Sequence, residues 1–194
     1  NTGSKLVAID SGFGPGMLET SKGSMGQGQA NLPASGIDIK NIDAVVISHF
    51  HGDHWLGNHA FVKHFGANLP IYALPHTIEQ IKGIEGNAWR NLMERWTNQS
   101  TAGTQVVPPN KPVAHGQSIT IGDVEFKLHF YGQAHTQADL CVQVVPERVT
   151  HVGDIAMTNR IANIDDGSYP GTLKYFDRLK QAAGDQLWVP GHGE

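Results

Sequence analysis

A single cysteine, Cys141, leaves no partner for an intrachain disulfide, so cysteine usage favours neither an oxidising nor a reducing compartment. No apolar run approaches the roughly 20 residues of a membrane helix. With 39% apolar and 16% charged residues the chain is neither membrane-like nor disordered. Lys and Arg number 14 against 18 Asp and Glu, giving a net charge of −4, and they gather in no stripe; a nucleic-acid partner is therefore not expected. There is no internal repeat and no interdomain linker, and 194 residues suit one domain, 1–194, with room for a core. No secretory signal opens the chain. Asn1-Thr2-Gly3-Ser4 at one end and the Gly191-His192-Gly193 turn at the other read as cuts through a larger fold. A leader could precede Asn1, which leaves cytoplasm and periplasm both open.

What is present reads as mixed strand and helix. Lys5–Ile9, Ala44–Ile47 and Ile71–Leu74 are short buried strands. Residues 11–36, rich in Gly, Ser and Pro, read as an irregular loop. Residues 55–65 read as a helix, and Thr77–Trp96 as a helical stretch broken at Gly83 and Gly86. The prolines of Val106–Pro112 indicate loop. Ser118–Ile121 and Val124–Tyr131 flank Gly122-Asp123 as a hairpin. Strands at 140–145 and 149–152, a helix over Thr172–Ala183 and a last strand at Gln186–Val189 complete the chain. Cys141 reads as a small core residue rather than a nucleophile.

Eleven histidines carry the chemistry. His49-Phe50-His51-Gly52-Asp53-His54 follows a buried strand and puts three imidazoles and a carboxylate within six positions. In extended geometry alternate side chains point one way, so His49, His51 and Asp53 converge while His54 turns aside. Imidazole and carboxylate are ligands for borderline divalent ions. Four neighbouring residues cannot fill two coordination spheres, and three further candidates, His135, Asp154 and His192, stand where strands give way to loops.

The H-x-H-x-D-H stretch resembles the signature of the metallo-β-lactamase superfamily, and His135, Asp154 and His192 fall in that family's order. Asp10, in Ile9-Asp10-Ser11-Gly12, matches its first motif, a carboxylate that supports the ligands from behind. The resemblance spans residues 6 to 193 and implies an α+β fold, a four-layer αββα sandwich. It also implies two divalent ions, zinc foremost, with iron, manganese or cobalt as alternatives. One ion would take His49, His51 and His135; the other Asp53, His54 and His192, with Asp154 bridging. A metal-activated water would then cleave an ester, thioester, lactone or related bond of a small molecule, with Asp53 orienting it. Asp154 stands where zinc β-lactamases of one subgroup carry Cys. That departure, with Gly132-Gln133-Ala134-His135-Thr136 and Asp139, points to the glyoxalase II and lactonase-like branch rather than to antibiotic hydrolysis. The organophosphate-hydrolase branch has a similar opening, Asn1–Val7.

Other residues weigh less. His59 and His64 read as solvent-facing, His76 and His115 as loop residues, His129 as structural, and His151 as a neighbour of the site. Tyr131 is a candidate substrate contact. Trp89, Met93 and Trp96 form either a core stripe or a lid within residues 77–97. Asp165-Asp166-Gly167 reads as a plain turn. Three rival readings are a diiron redox protein, an RNA-processing nuclease and a silent metal-binding protein. The first would replace His51 with Glu and add a flavin domain, and the second wants a basic patch. Homo-oligomerisation is compatible with the sequence.

Overall fold

The computed structural model describes residues 5–12 and 42–192. Of the loop expected over 11–36, residues 13–36 lie outside them. The first sheet holds β1 (Val7–Ile9), β2 (Ala44–Val46), β3 (Ile71–Ala73) and β4 (Lys111–Pro112), in that order and all parallel. A parallel sheet is covered on both faces, which is why Ala44-Val45-Val46-Ile47 is apolar without alternation and buried throughout. Val45 and Ile47 face α1 (Gly52–Trp55), α2 (Asn58–Phe65), α3 (Pro75–Lys82) and α4 (Ile84–Trp96), packing with Trp55, Ile78, Ile81 and Met93. Val46 faces the other way, onto Phe126, Leu128 and Val142.

Those three residues belong to the second sheet: β5 (Ser118–Ile121), β6 (Val124–His129), β7 (Cys141–Val144), β8 (Val149–Met157) and β9 (Leu187–His192), in that order. Neighbours are antiparallel except β8 and β9, which run parallel. Its outer face takes α5 (Tyr169–Ala183), whose Tyr175, Leu179 and Ala183 pack on Cys141 and Val152. The expected αββα layering is therefore present. No described helix is long and apolar enough to cross a membrane.

Several boundaries differ from the sequence reading for physical reasons. The 77–96 stretch starts at Pro75 and breaks only at Gly83. Gly86 is buried inside α4, where a Cβ would collide with the Ile81 carbonyl, so it serves close packing rather than a break. Pro112 lies in β4, not in loop; β4 is the edge of its sheet, where a missing N–H is tolerated. Helix α5 begins three residues early because Ser168 caps it, accepting from Gly171 N at 3.1 Å, with a proline in its first turn. The strands that matter most also run longer: β8 continues past Asp154 to Met157, and β9 runs through Pro190 and Gly191 to His192.

Candidate metal centre

The signature begins extended and ends helical. His51 is the last extended residue, with φ −65° and ψ 140°, and Gly52–Trp55 form one helical turn. Alternation therefore stops at His51. His54, expected to turn aside, is instead rotated inward and only 3% exposed. Gly52 makes a second contribution: a Cβ there would stand 3.0 Å from Trp89 Cε3 and from Leu56 Cδ1. Without one, α4 presses Trp89 onto the loop, its ring 5.0 Å from that of His51. Of the aromatic stripe, Met93 is core, Trp89 borders the site and Trp96 is exposed.

Asp10 leaves β1 in a left-handed conformation, φ 59°, that a non-glycine residue adopts at a cost. The position aims its carboxylate at the signature. Oδ1 accepts from Ser48 N at 2.7 Å; Oδ2 accepts from Ser48 Oγ and pairs with His54 Nδ1, both at 2.8 Å. Ser48 Oγ also lies 2.9 Å from His49 Nδ1. With both Nδ1 atoms engaged from behind, the Nε2 atoms of His49 and His54 are left facing inward.

The second sheet supplies the rest. His135 sits on the loop after β6, which Asp139 fastens by accepting from Thr136 N at 2.8 Å and Thr136 Oγ1 at 2.8 Å. Asp154 stands in β8 at an irregularity where Gly153 takes φ 55° and the register with β9 shifts. A Cβ on Gly191 would run into the Asp154 carboxylate, so that glycine lets β9 bring His192 alongside.

The result is one cluster. Asp154 Oδ2 lies 3.9 Å from His49 Nε2, 3.4 Å from His135 Nε2 and 3.3 Å from His192 Nε2, while Oδ1 lies 3.4 Å from His54 Nε2. His192 Nε2 is 3.0 Å from Asp53 Oδ2, and His135 Nε2 is 3.0 Å from His51 Nδ1. Three groups could each hold an ion: His49, His51 and His135; His49, His54 and Asp154; Asp53, His54 and His192. Ligand atoms within each group lie within 4.8 Å of one another. Among the described residues, His49 Nε2, His54 Nε2 and Asp154 Oδ1 are buried without hydrogen-bond partners. Such atoms cost about 1–3 kcal/mol each. Three of them aimed into one space fit cations as the missing partners.

Protonation divides the cluster. Burial holds His49 well below the usual imidazole range and draws His135 down to about 4. His192 is raised to about 9 by its hydrogen bonds to Asp154 and Asp53. Burial opposes charge on His54, but Asp53 and Asp10 outweigh it and hold the ring well above the usual range. Asp154 and Asp53 are likewise opposed by burial, yet the rings of His192 and His54 hold both well below the carboxylate range.

The profile of the metallo-beta-lactamase superfamily matches residues 2–192, almost the whole chain. The chain belongs to the metallo-β-lactamase superfamily. Among solved structures it is similar to a metallo-β-lactamase from Pontibacter korlensis, 18% identical with a TM-score of 0.70, covering 100% of this chain and 77% of that one. The BLEG-1 B3 metallo-β-lactamase is 19% identical with a TM-score of 0.71, covering 100% and 84%. At these identities the likeness concerns the fold. A stretch of 61 residues is 37% identical to ribonuclease Z of Picrophilus torridus, 29% of this chain and 20% of that protein. The match thus spans a fifth of that relative's length.

In this superfamily member the other histidines stay apart from the cluster. His64 and His76 are exposed, and His76 Nε2 pairs with Gln137 at 2.7 Å. His59 and His115 accept from backbone N–H groups of Gln105 and Phe130. His129 is buried against Gln143, and His151 approaches Asp10 at 4.0 Å. Tyr131, a candidate substrate contact, meets His115, His129 and Tyr175. Two neighbours of His51 were not placed beside it by sequence reasoning: Trp89, weighed as core stripe or lid, and Asp166, read as part of a plain turn, whose Oδ2 lies 3.1 Å from His51 Nε2. The glycine inside the signature was the available signal for the first. For the second, a turn 115 residues away in sequence offered none.

Proposed function

We propose that the protein is a hydrolase that holds two divalent ions, zinc foremost, and cleaves an ester, thioester or lactone of a small molecule. The observation that carries this reading is the position of Asp154, with a carboxylate oxygen within 3.9 Å of His49, His54, His135 and His192. One carboxylate between two sets of imidazoles suits a bridge between two cations. His49, His51 and His135 would hold one ion; Asp53, His54 and His192 the other. Such ions would lower the pKa of water to about 7 and polarise a carbonyl.

The chain's own residues do the rest. Asp10 and Ser48 fix the rings of His54 and His49 from behind, so that the inner nitrogens need no reorganisation. Asp53 is a fifth exposed and held ionised, so it accepts a hydrogen bond from water and orients it at the mouth of the site. No Ser or Cys nucleophile is required, and Cys141 is buried beneath α5 with its thiol raised further by burial. The glyoxalase II and lactonase-like branch is favoured by Asp154 in place of Cys and by the Gly-x-Ala-His-Thr loop with Asp139.

The test pairs metal analysis with a hydrolysis panel of lactones, thioesters, β-lactams and phosphotriesters. Two ions per chain and a lactone or thioester as best substrate, with activity lost to chelation and restored by metal, are expected. A folded, metal-loaded protein inert on every acyl substrate would sink the reading. The short match to ribonuclease Z supports a nuclease as second reading, and a structured RNA belongs in the panel. The net charge of −4 weighs against it.

A further inference from the structure

We infer that the turn over residues 163–168 clamps the three-histidine group, and that Asp166 is a positioning residue that fixes the tautomer of His51. The inference rests on the metal-centre reading above. His51 has one ring nitrogen on each side of the question. Its Nδ1 faces His135 Nε2 at 3.0 Å, inside the cluster, and its Nε2 lies 3.1 Å from Asp166 Oδ2 outside it. A carboxylate only accepts, so Nε2 carries the proton and Nδ1 presents its lone pair inward. The other face of the ring is packed by Trp89 at 5.0 Å. Among the described residues, no other hydrogen-bond partner of the ring lies outside the cluster.

The turn is built to hold that carboxylate in place. Asp165 N donates to Asn163 Oδ1 at 2.9 Å, Asn163 Nδ2 donates to Asp165 Oδ2 at 3.0 Å, and Gly167 N donates to Ile164 O at 2.9 Å. The whole segment is then docked on the loop that carries His135. Ser168 N donates to Ala134 O at 2.8 Å, and Gln133 Nε2 reaches the carbonyls of Gly167 at 3.2 Å and Asp166 at 3.4 Å. Gly167 fits so closely that a Cβ would strike the carbonyls of Ala134 and His135. One short turn therefore grips His51 by a side chain and the His135 loop by its backbone. The Asp53, His54 and His192 group receives neither contact. Asp166 is half-exposed, its side chain 49% accessible, so its charge is screened and its acceptor geometry matters more.

Metal-free wild type, Asp166→Ala and Asp166→Asn are titrated with cobalt(II), followed by visible absorption and by competition with a chromophoric chelator. Wild type binds two ions. Asp166→Ala weakens one of the two by about 10- to 100-fold, the range seen when a ligand loses its outer partner, and leaves the other within a few-fold. Asp166→Asn, whose Oδ1 still accepts, recovers most of the loss. In the metal-free chains, nitrogen-15 spectra of the His51 ring, assigned with His51→Gln, report Nε2–H in wild type and a tautomer mixture in Asp166→Ala. Circular dichroism checks that the variants are folded. A wild type that takes up no cobalt sinks the metal-centre reading and the clamp together. A wild type that takes up two ions beside an Asp166→Ala variant with matching affinities and tautomer sinks the clamp alone. An Asn variant as weak as the Ala variant also overturns it, since orientation by hydrogen bonding would then not be the cause.

Discussion

The His49, His51 and His135 group and the Asp53, His54 and His192 group stand side by side with Asp154 between them, but their side chains are tuned in opposite directions. In the first, burial sets the protonation state: His49 is well below the imidazole range and His135 is at about 4, so lone pairs are available at neutral pH. In the second, carboxylates override burial: His54 is well above its usual range and His192 is at about 9. The difference comes from where the acids are. Asp10 and Asp53 both face His54, and Asp53 and Asp154 both face His192. A cation at the first group would find His49 and His135 neutral; one at the second would have to displace protons.

The strongest way to break this comparison is to remove what the groups share. Asp154→Ala deletes the carboxylate between them and should lower kcat/KM on the best substrate by at least about 10³-fold, because positioning and Lewis-acid stabilisation are lost together. His51→Ala should do comparable damage while keeping the chain folded. Wild-type-like turnover in either variant would mean that the groups act independently of their ligands, and the comparison would lose its meaning.

Proton competition gives the next largest effect. A pKa raised in the metal-free state means that the proton is held below that value, so affinity falls as pH falls. Uptake at the Asp53, His54 and His192 group should weaken about 10-fold per pH unit below 9 through the His192 proton, and further through the one His54 holds, whereas His49 and His135 should add little proton competition near neutral pH. Isothermal titration at pH 6 and pH 8.5, in buffers of different ionisation enthalpy, separates the two. Equal slopes would erase the distinction.

Asp10→Ala sharpens the comparison further. It frees His54 Nδ1 and Ser48 Oγ, and the cost should fall on the second group: a loss of about 10- to 100-fold in that group's affinity. Because Ser48 Oγ also touches His49 Nδ1, a smaller loss in the first group is expected. An equal loss in both would show that Asp10 acts through Ser48 rather than through His54.

How much of this was legible before any coordinates depended on distance along the chain. His49 to His54 declare themselves because six adjacent positions hold four candidate ligands, three His and one Asp, and the strand before them is apolar enough to be recognised as buried. His135, Asp154 and His192 could be named by order, but their placement could not. That Asp154 lies within β8 rather than at its end follows from Gly153 and from Gly191 on the neighbouring strand, a pairing of residues 38 apart. The inward turn of His54 was misread because helix starts at Gly52, four residues too short a segment for periodicity to reveal. Asp166 was invisible for a related reason: a turn signal tells where the backbone bends, not which distant ring its side chain will meet. The αββα layering was legible only through the family resemblance; the apolar runs, the Gly122-Asp123 hairpin and the amphipathic α5 specify its local elements, not how they stack.

The smallest effect concerns the loop under His135. Asp139 is buried, and burial raises its carboxyl to about 6 even though Thr136 donates to it twice. An unfolded aspartate titrates near 3.9. Below about pH 4 both states are protonated. Between about 4 and 6 the unfolded chain gives up this proton while the folded chain keeps it, so the folded state loses ground as pH rises. Above 6 the deficit is constant, on the order of 2–3 kcal/mol. Asp139→Asn removes the titration and leaves Oδ1 to accept from Thr136. Denaturation of the metal-free proteins at pH 4 and pH 7 should therefore show the variant gaining on wild type by that amount as pH rises. The second group adds a pH dependence of its own, since its raised histidines stabilise the fold fully only below the unfolded imidazole range, and subtracting the variant from wild type cancels it. A difference that is flat with pH would mean that Asp139 is ionised at little cost, and that the loop under His135 is held as cheaply as the ligands around Asp53.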